Sequence, residues 1–332
     1  MRELARRPAA YRMELFRETA RKMGVHEAIV EKDFWVCWIL DVLFSSGRWS
    51  DKLIFKGGTS LSKVFGVISR FSEDIDLVLD WRELGYGTDD PWQPDSGSQR
   101  TRFVELTREK TVDYLADQMI PSLNLEFELA LGDRLELFHR DHVIAIEYPR
   151  AFSNPAIVPQ VLLEIGPLAS WTPHGEFTIR SYASEVFPEV FRSPQVHLQA
   201  VTAERTFWEK ATILHQEAHR APDKPMPSRY SRHYYDLFCL CRTGHYKEAL
   251  KQKALLAQVV EFKERFYRTP WSQLTLCLEG KLRLVPPPER LENLADDYQK
   301  MRAMLFGSGI PVFSEIMSRL SDVETEINSR LS

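Results

Sequence analysis

Residues 55–77 read Phe55-Lys-Gly-Gly-Thr-Ser-Leu-Ser-Lys-Val-Phe-Gly-Val-Ile-Ser-Arg-Phe-Ser-Glu-Asp-Ile-Asp-Leu77. Gly57-Gly58 separates a short apolar run, 53–55, from a helical pattern in which Leu61, Val64, Phe65 and Ile68 fall on one face. From Asp74 the chain alternates charged and apolar residues, then stays apolar to Leu79, as a strand does. The segment therefore reads strand, glycine turn, helix, strand. On a strand, side chains two apart point the same way, so Asp74 and Asp76 share a face while Ile75 and Leu77 take the other. Two neighbouring carboxylates call for a cation, and Mg²⁺ is held by one or two carboxylates plus substrate phosphates. Two such ions clamp the attacking and leaving oxygens of a phosphoryl displacement. Gly57 and Gly58 let phosphate oxygens approach the main chain, where the N–H groups of a helix start favour an anion. Thr59, Ser60 and Ser62 add hydroxyls there, and Lys63 adds charge.

The order Gly-Gly, helix, Asp-x-Asp resembles the signature of the nucleotidyltransferase superfamily related to DNA polymerase β. The finer strings, Phe55-Lys-Gly-Gly-Thr-Ser-Leu-Ser-Lys63 and Arg70-Phe-Ser-Glu-Asp-Ile-Asp-Leu77, resemble the AbiEii/AbiGii toxin family. Two further segments fit the resemblance: Glu204-Arg-Thr-Phe-Trp-Glu-Lys210 and Arg232-His-Tyr-Tyr-Asp-Leu237. It implies an α+β fold: a polymerase β-like core, a mixed sheet flanked by helices, over residues 1–195, and a mainly helical domain over 196–332 that completes the cleft. It implies a Mg²⁺- or Mn²⁺-dependent transfer of nucleotide from an NTP to an acceptor, with the 3′ end of tRNA as the expected acceptor. It also implies a role in a toxin–antitoxin or phage-defence pair, with a cognate antitoxin. Asp74 and Asp76 would bind metal. Gly57, Gly58 and Thr59 or Ser60 would cradle the triphosphate, with Lys63 beside them. Ser72 would hydrogen-bond phosphate or a water on the metal. Lys210 would neutralise the leaving pyrophosphate, and Asp236, with Arg232, would face the nucleotide.

A third acid completes such a site on a neighbouring strand. Glu164, in Val161-Leu-Leu-Glu-Ile-Gly166, fits that place, and Glu147 competes with it. Read without the resemblance, Lys210 is a lysine at the margin of an apolar helix face, its stem packed and its head in water. Arg232 and Asp236, four apart, read as a surface ion pair. Two other functions remain open: transfer to a protein or small-molecule hydroxyl, and a nucleotide-binding module without turnover.

The 332 residues carry a net charge of −4, so a nucleic-acid surface would have to be a local patch. Four cysteines without Cys-x-x-Cys spacing read as reduced thiols, which argues against zinc. The absence of a long apolar run or a signal-type core places the protein, as an expectation, in the cytoplasm.

The rest of the chain is read more coarsely. Residues 1–50 read as helices packing on the core, with Glu31-Lys32-Asp33 as a solvated helix start. Residues 81–100, rich in Gly, Pro, Asp and Ser, read as a mobile loop that could gate substrate. The alternating Leu123, Leu125, Phe127, Leu129 and Leu131 read as a half-buried strand. Segments 135–138, 142–148 and 161–165 read as further strands. Thr202 reads as the cap of a helix to about residue 219, and Gly244 as the end of the helix that begins near 230. The lysines and arginines of 247–268 read as a solvated face, with an RNA-backbone surface as the sharper alternative.

Overall fold

The computed structural model describes residues 1–72, 74–155, 157–168, 172–307 and 309–331. The chain divides into two units: Met1–Val64 with Phe71–Val201, and Phe65–Arg70 with Thr202–Ser332. The first unit thus runs past residue 195, and a six-residue strap between the glycine turn and the acidic strand belongs to the second.

Among the described residues of the first unit, seven strands form one sheet in the order β3-β4-β5-β2-β1-β7-β6. They are β1 (Leu53–Lys56), β2 (Asp74–Leu79), β3 (Glu136–Arg140), β4 (Val143–Glu147), β5 (Gln160–Gly166), β6 (His174–Arg180) and β7 (Gln195–Val201). β2 runs antiparallel to β1 and parallel to β5, so the sheet is mixed and the fold is α+β. The helices are α1 (Arg2–Ala5), α2 (Ala9–Met23), α3 (Glu27–Ser45), α4 (Gly57–Lys63), α5 (Gly97–Tyr114), α6 (Ile120–Leu131) and α7 (Tyr182–Val186). α3 is apolar almost all round, the pattern of a helix buried on every side. Its Trp35 and Trp38 are fully buried, Trp35 stacking on Tyr148 and Trp38 meeting Phe127 at 5.4 Å. Removing either ring would cost about 3–5 kcal/mol.

Four expectations are corrected here. The leucine alternation of 123–131 lies in α6, not in a strand. The chain reaches it from α5 through the π-turn Leu115–Met119, Pro121 sits in its first turn, and Gly132 in a left-handed conformation ends it. Leu123, Phe127, Ala130 and Leu131 face the core at helical spacing, while Leu125 and Leu129 are exposed. Residues 81–100 are not one loop: Trp81–Leu84 and Asp90–Trp92 form short 3-10 turns, with Trp81 buried, and α5 begins at Gly97. The helix after Gly57-Gly58 stops at Lys63, so Val64, Phe65 and Ile68 do not continue it. Glu31, Lys32 and Asp33 are buried, not solvated. Glu31 accepts the main-chain N–H groups of Ala151 and Phe152, Lys32 donates to the Val158 carbonyl, and Asp33 accepts from Tyr182 N–H and Lys63. Each charge therefore ties a different segment to α3.

The second unit is helical: α8 (Ala203–Ala218), α9 (Ser231–Leu240), α10 (Gly244–Lys251), α11 (Lys253–Phe266), α12 (Pro288–Met301) and α13 (Phe313–Leu331). Thr202 caps α8 by accepting Arg205 N–H, and Ala203, Phe207, Ala211 and Leu214 form its buried side. Gly244 opens α10 rather than ending α9. The basic stretch is a solvated face: Phe262 and Phe266 point inward, and Lys251 and Arg268 pair with Glu248 and Glu264. Among the described residues, no helix is long and apolar enough to cross a membrane.

Candidate active site

In the first unit the site is set by strand register. β1 delivers Lys56 opposite Asp76, and β5 delivers Glu164 beside the same aspartate. Partners across a ladder project to the same face, so Asp74, Asp76, Glu164 and Lys56 share one side of the sheet. Ile75, Leu77, Leu163 and Ile165 fill the core on the other. Glu147 stands opposite Gln160, whose amide donates to it at 3.0 Å. It therefore lies four residues of strand away from Glu164, so the register puts Glu164 next to the aspartate pair. Lys56 was not singled out in the sequence. Its only signal there is its place as the last strand residue before the glycines.

Gly57 shows why this turn takes glycine. Its φ is +85°, a left-handed conformation that L side chains rarely adopt. A Cβ there would also sit 1.9 Å from Oδ2 of Asp76. The Asp76 carboxylate therefore rests directly on the bare main chain where α4 begins. Thr59 and Ser60 are buried, and their hydroxyls are used inside the protein. Thr59 Oγ1 bonds the Asp74 carbonyl and, at 2.9 Å, the Ser72 hydroxyl, while Ser60 donates to the Gly57 carbonyl. These contacts pin α4 to the end of β2. Of the expected cradle, Gly57 and Gly58 offer main chain, and Ser72 borders the acidic strand.

Lys63 is placed differently from the expectation. Its ammonium is 2.7 Å from Asp33, with side chains 4% and 3% exposed, and lies over the Tyr182 ring. Burial pulls its pKa down, but the Asp33 charge more than offsets this, and the net shift is upward. It is a buried counter-ion that holds α4 against α3, not a charge turned to a ligand.

Among the described residues no group of three or more His, Cys, Asp and Glu is gathered closely enough to hold a metal ion. The donor set the first unit offers is the aspartate pair; Glu164, on the neighbouring strand, is not gathered with them closely enough to make the expected third ligand. That set suits Mg²⁺ or Mn²⁺, because such ions need few protein carboxylates when substrate phosphates supply further oxygens.

In the second unit, Asp236 is completely buried on α9. Arg70 grips it with both arms of its guanidinium, at 2.7 and 2.9 Å, and Lys210 of α8 meets it at 2.8 Å. Burial alone would raise this carboxyl's pKa, but Arg70 and then Lys210 hold it well below the usual range. One carboxylate thus carries two cations. The surface pair expected between Arg232 and Asp236 does not form, because Asp236 faces inward and its oxygens are taken. His233 is half-buried near Lys210 and kept neutral, its pKa lowered chiefly by loss of solvent around the ring and then by the Lys210 charge. Its Nδ1 has no hydrogen-bond partner among the described residues. Arg70 was missed: it sits in the quoted motif, but nothing at sequence level pairs it with a residue 166 positions away.

A glycine turn feeding an Asp-x-Asp strand in a mixed sheet, with helices on the flank, defines a nucleotidyltransferase fold. The family model described as nucleotidyl transferase AbiEii toxin, type IV TA system, matches residues 38–319. The chain belongs to this family: it is a nucleotidyltransferase toxin of a type IV toxin–antitoxin system. Among solved structures, MenT4, a nucleotidyltransferase toxin from Mycobacterium tuberculosis H37Rv, shares the fold with a TM-score of 0.51 at 16% identity, covering 95% of this chain and 89% of that one. A structure described as "putative nucleotidyltransferase from H. pylori" aligns at 15% identity with a TM-score of 0.40, covering 91% of this chain and 94% of that one. No curated protein matches the sequence.

Proposed function

We propose that this toxin transfers a nucleotide from an NTP to the 3′ end of tRNA, in a reaction that depends on Mg²⁺ or Mn²⁺ held by Asp74 and Asp76. The observation that carries the reading is the Asp76 carboxylate resting on Gly57, with Asp74 and Glu164 on the same face. That arrangement supports the reading because it sets carboxylate oxygens against a stretch of main chain that phosphate can approach. When bound, the cation neutralises phosphate charge and orients the triphosphate for in-line displacement. In this reading Glu164, beside Asp76 in the register, is the acid that accepts the proton of the attacking hydroxyl. A bond forms between that oxygen and the α-phosphorus, the bond to the bridging oxygen breaks, and pyrophosphate leaves. Ser72 is the hydroxyl at the start of the acidic strand able to bond phosphate. Lys210 enters the same reading through the family resemblance, and its substitution tests that assignment separately. Neutralisation by a cognate antitoxin belongs to the reading as well.

The test is transfer of label from each α-labelled NTP to tRNA, total RNA or protein, with Mg²⁺, Mn²⁺ or chelator. Label on the tRNA 3′ end, lost with chelator and reduced about 10²–10³-fold or more in Asp76→Asn, is the expected result. Label on protein or a small hydroxyl compound would replace the acceptor. No transfer by wild type to anything would overturn the reading.

A further inference from the structure

The second unit holds a cavity of about 670 Å³ that the reaction described above does not use. Its walls come from the strap Phe65–Arg70, from α9 and α10, and from the segment around Phe306. The side of α9 that faces it carries Tyr235, Phe238 and Cys239, spaced as one helical face, and Arg242 follows in the turn just beyond the helix. Asp236 belongs to a different side of that helix.

The chemistry of the lining is specific. Phe65 and Phe306 are half-buried rings, and Phe238 adds a third. The other lining charges are mostly committed. His245 meets Glu204 at 2.8 Å and lies edge-on to Phe65, and Glu248 pairs with Lys251 at 2.7 Å. Arg242 is exposed, lies over the Phe238 ring, and has no ion-pair partner among the described residues. The cavity thus combines flat aromatic surface with one uncompensated cation. Ligand sites are typically of this volume, apolar and aromatic with a few polar groups that fix orientation. Aromatic rings bind bases through their π-faces, and an arginine beside them takes phosphate.

The geometry points to a second nucleotide site: this cavity takes one nucleotide unit, its base against the phenylalanine rings and its phosphate on Arg242. The unit is either a free nucleotide or an unpaired residue of an RNA, since both present the same base and phosphate. The site stands on the second unit alone and needs no metal. The strap that forms its wall is itself held in place. Ser69 N–H donates to the Tyr235 hydroxyl, Phe306 N–H donates to the Ser69 carbonyl, and the next residue is Arg70, which grips Asp236. A ligand in the cavity therefore bears on the segment that fixes the Asp236–Lys210 pair.

Calorimetric titration of the full chain in chelator tests this, with AMP, UMP and a single-stranded RNA trinucleotide as probes. Wild type and Asp76→Asn are expected to bind at least one probe saturably and equally. Arg242→Gln should weaken that binding about 10-fold or more, and Phe65→Leu about 5-fold or more. Arg242 is exposed and unpaired, so its variant should melt as wild type does. Tighter binding of the trinucleotide assigns the site to RNA, and tighter binding of a mononucleotide assigns it to free nucleotide. Absence of saturable binding to folded wild type, or wild-type affinity in both variants, overturns the proposal. Either result leaves label transfer and its dependence on Asp76 untouched, so the two readings fail separately.

Discussion

Asp76 and Asp236 are both aspartates of the expected site, and the protein surrounds them with opposite charge. Around Asp76 the ladder puts Asp74 and Glu164 on the same face, with Lys56 as the lysine across the strand pair. The register sets three acids and one lysine on that face, and Gly57 lets the Asp76 carboxylate lie against bare main chain. Around Asp236 the excess is positive: one buried carboxylate holds Arg70 and Lys210. The first arrangement invites a cation and the second an anion. A third pair, Asp33 and Lys63, is balanced one to one and closed to solvent. The same residue types therefore make an acidic face, a cation-rich cluster and a rivet, and what distinguishes them is which charges the fold sets side by side.

The largest effect should come from removing the carboxylate that holds two cations. Asp236→Ala leaves Arg70 and Lys210 buried without their counter-charge, and breaking a buried pair in this way costs about 3–5 kcal/mol. Chemical denaturation should show a lowered midpoint with an unchanged slope. The same pair gives a sign for pH. The Asp236 carboxyl titrates below its ordinary 3.8, so its stabilisation is full above that value and is lost as pH falls further. Wild type should lose stability more steeply than Asp236→Asn in that acid range. Equal stability of Asp236→Ala and wild type at neutral pH would mean the two cations are not held by this carboxylate.

On the other side of the comparison, the expected effect is on activity. Gly57→Ala puts a Cβ where Oδ2 of Asp76 now lies, at a backbone angle that alanine adopts reluctantly. The carboxylate must move by about an ångström, and displacements of that size cost about 10²-fold in rate. Gly58→Ala, as a control, should cost less. Label transfer measured at saturating NTP separates the two. Equal rates in both would show that the contact with Asp76 is incidental.

What the sequence could and could not reveal follows the same division. The acid pair and its strand were legible, because a period of two fixes which side chains share a face. Which of Glu164 and Glu147 neighbours the acid pair is not legible, because it depends on which residue of β5 lies beside Asp76, and register is a pairing property. The helix α6 was misread because its leucines alternate by chance, with Leu125 and Leu129 in the exposed part of the repeat. Two readable signals were passed over. Pro121 suits the first turn of a helix, and Ser96 with Gln99 forms the capping box that starts α5 inside the expected loop. Strands β6 and β7, not anticipated from the sequence, flank residues 181–194, whose two prolines, Pro188 and Pro194, suit a boundary. Arg70 and the buried trio Glu31, Lys32 and Asp33 could not have been placed, since their partners are far away in sequence. Lys63 was given to the phosphates because it follows the glycine motif. Its partner on α3 is 30 residues earlier.

The balanced pair supplies the smallest net effect and the sharpest contrast. Lys63→Met alone leaves Asp33 as a buried uncompensated carboxylate, and should cost about 3–5 kcal/mol. Replacing both members removes the charge problem altogether. In Asp33→Asn with Lys63→Met, the asparagine oxygen still accepts the Tyr182 N–H that Asp33 accepts at 2.6 Å. The double variant should therefore recover to within about 1–2 kcal/mol of wild type, the remainder being the unpaired amide N–H. No such rescue is available at Asp236, where two cations share one carboxylate and neutralising one of them leaves the other. If Lys63→Met alone abolishes label transfer in a protein that melts normally, and the double variant does not restore it, the lysine acts on substrate. If stability and activity fall and return together, its work is to hold α4, and through it Gly57, against α3.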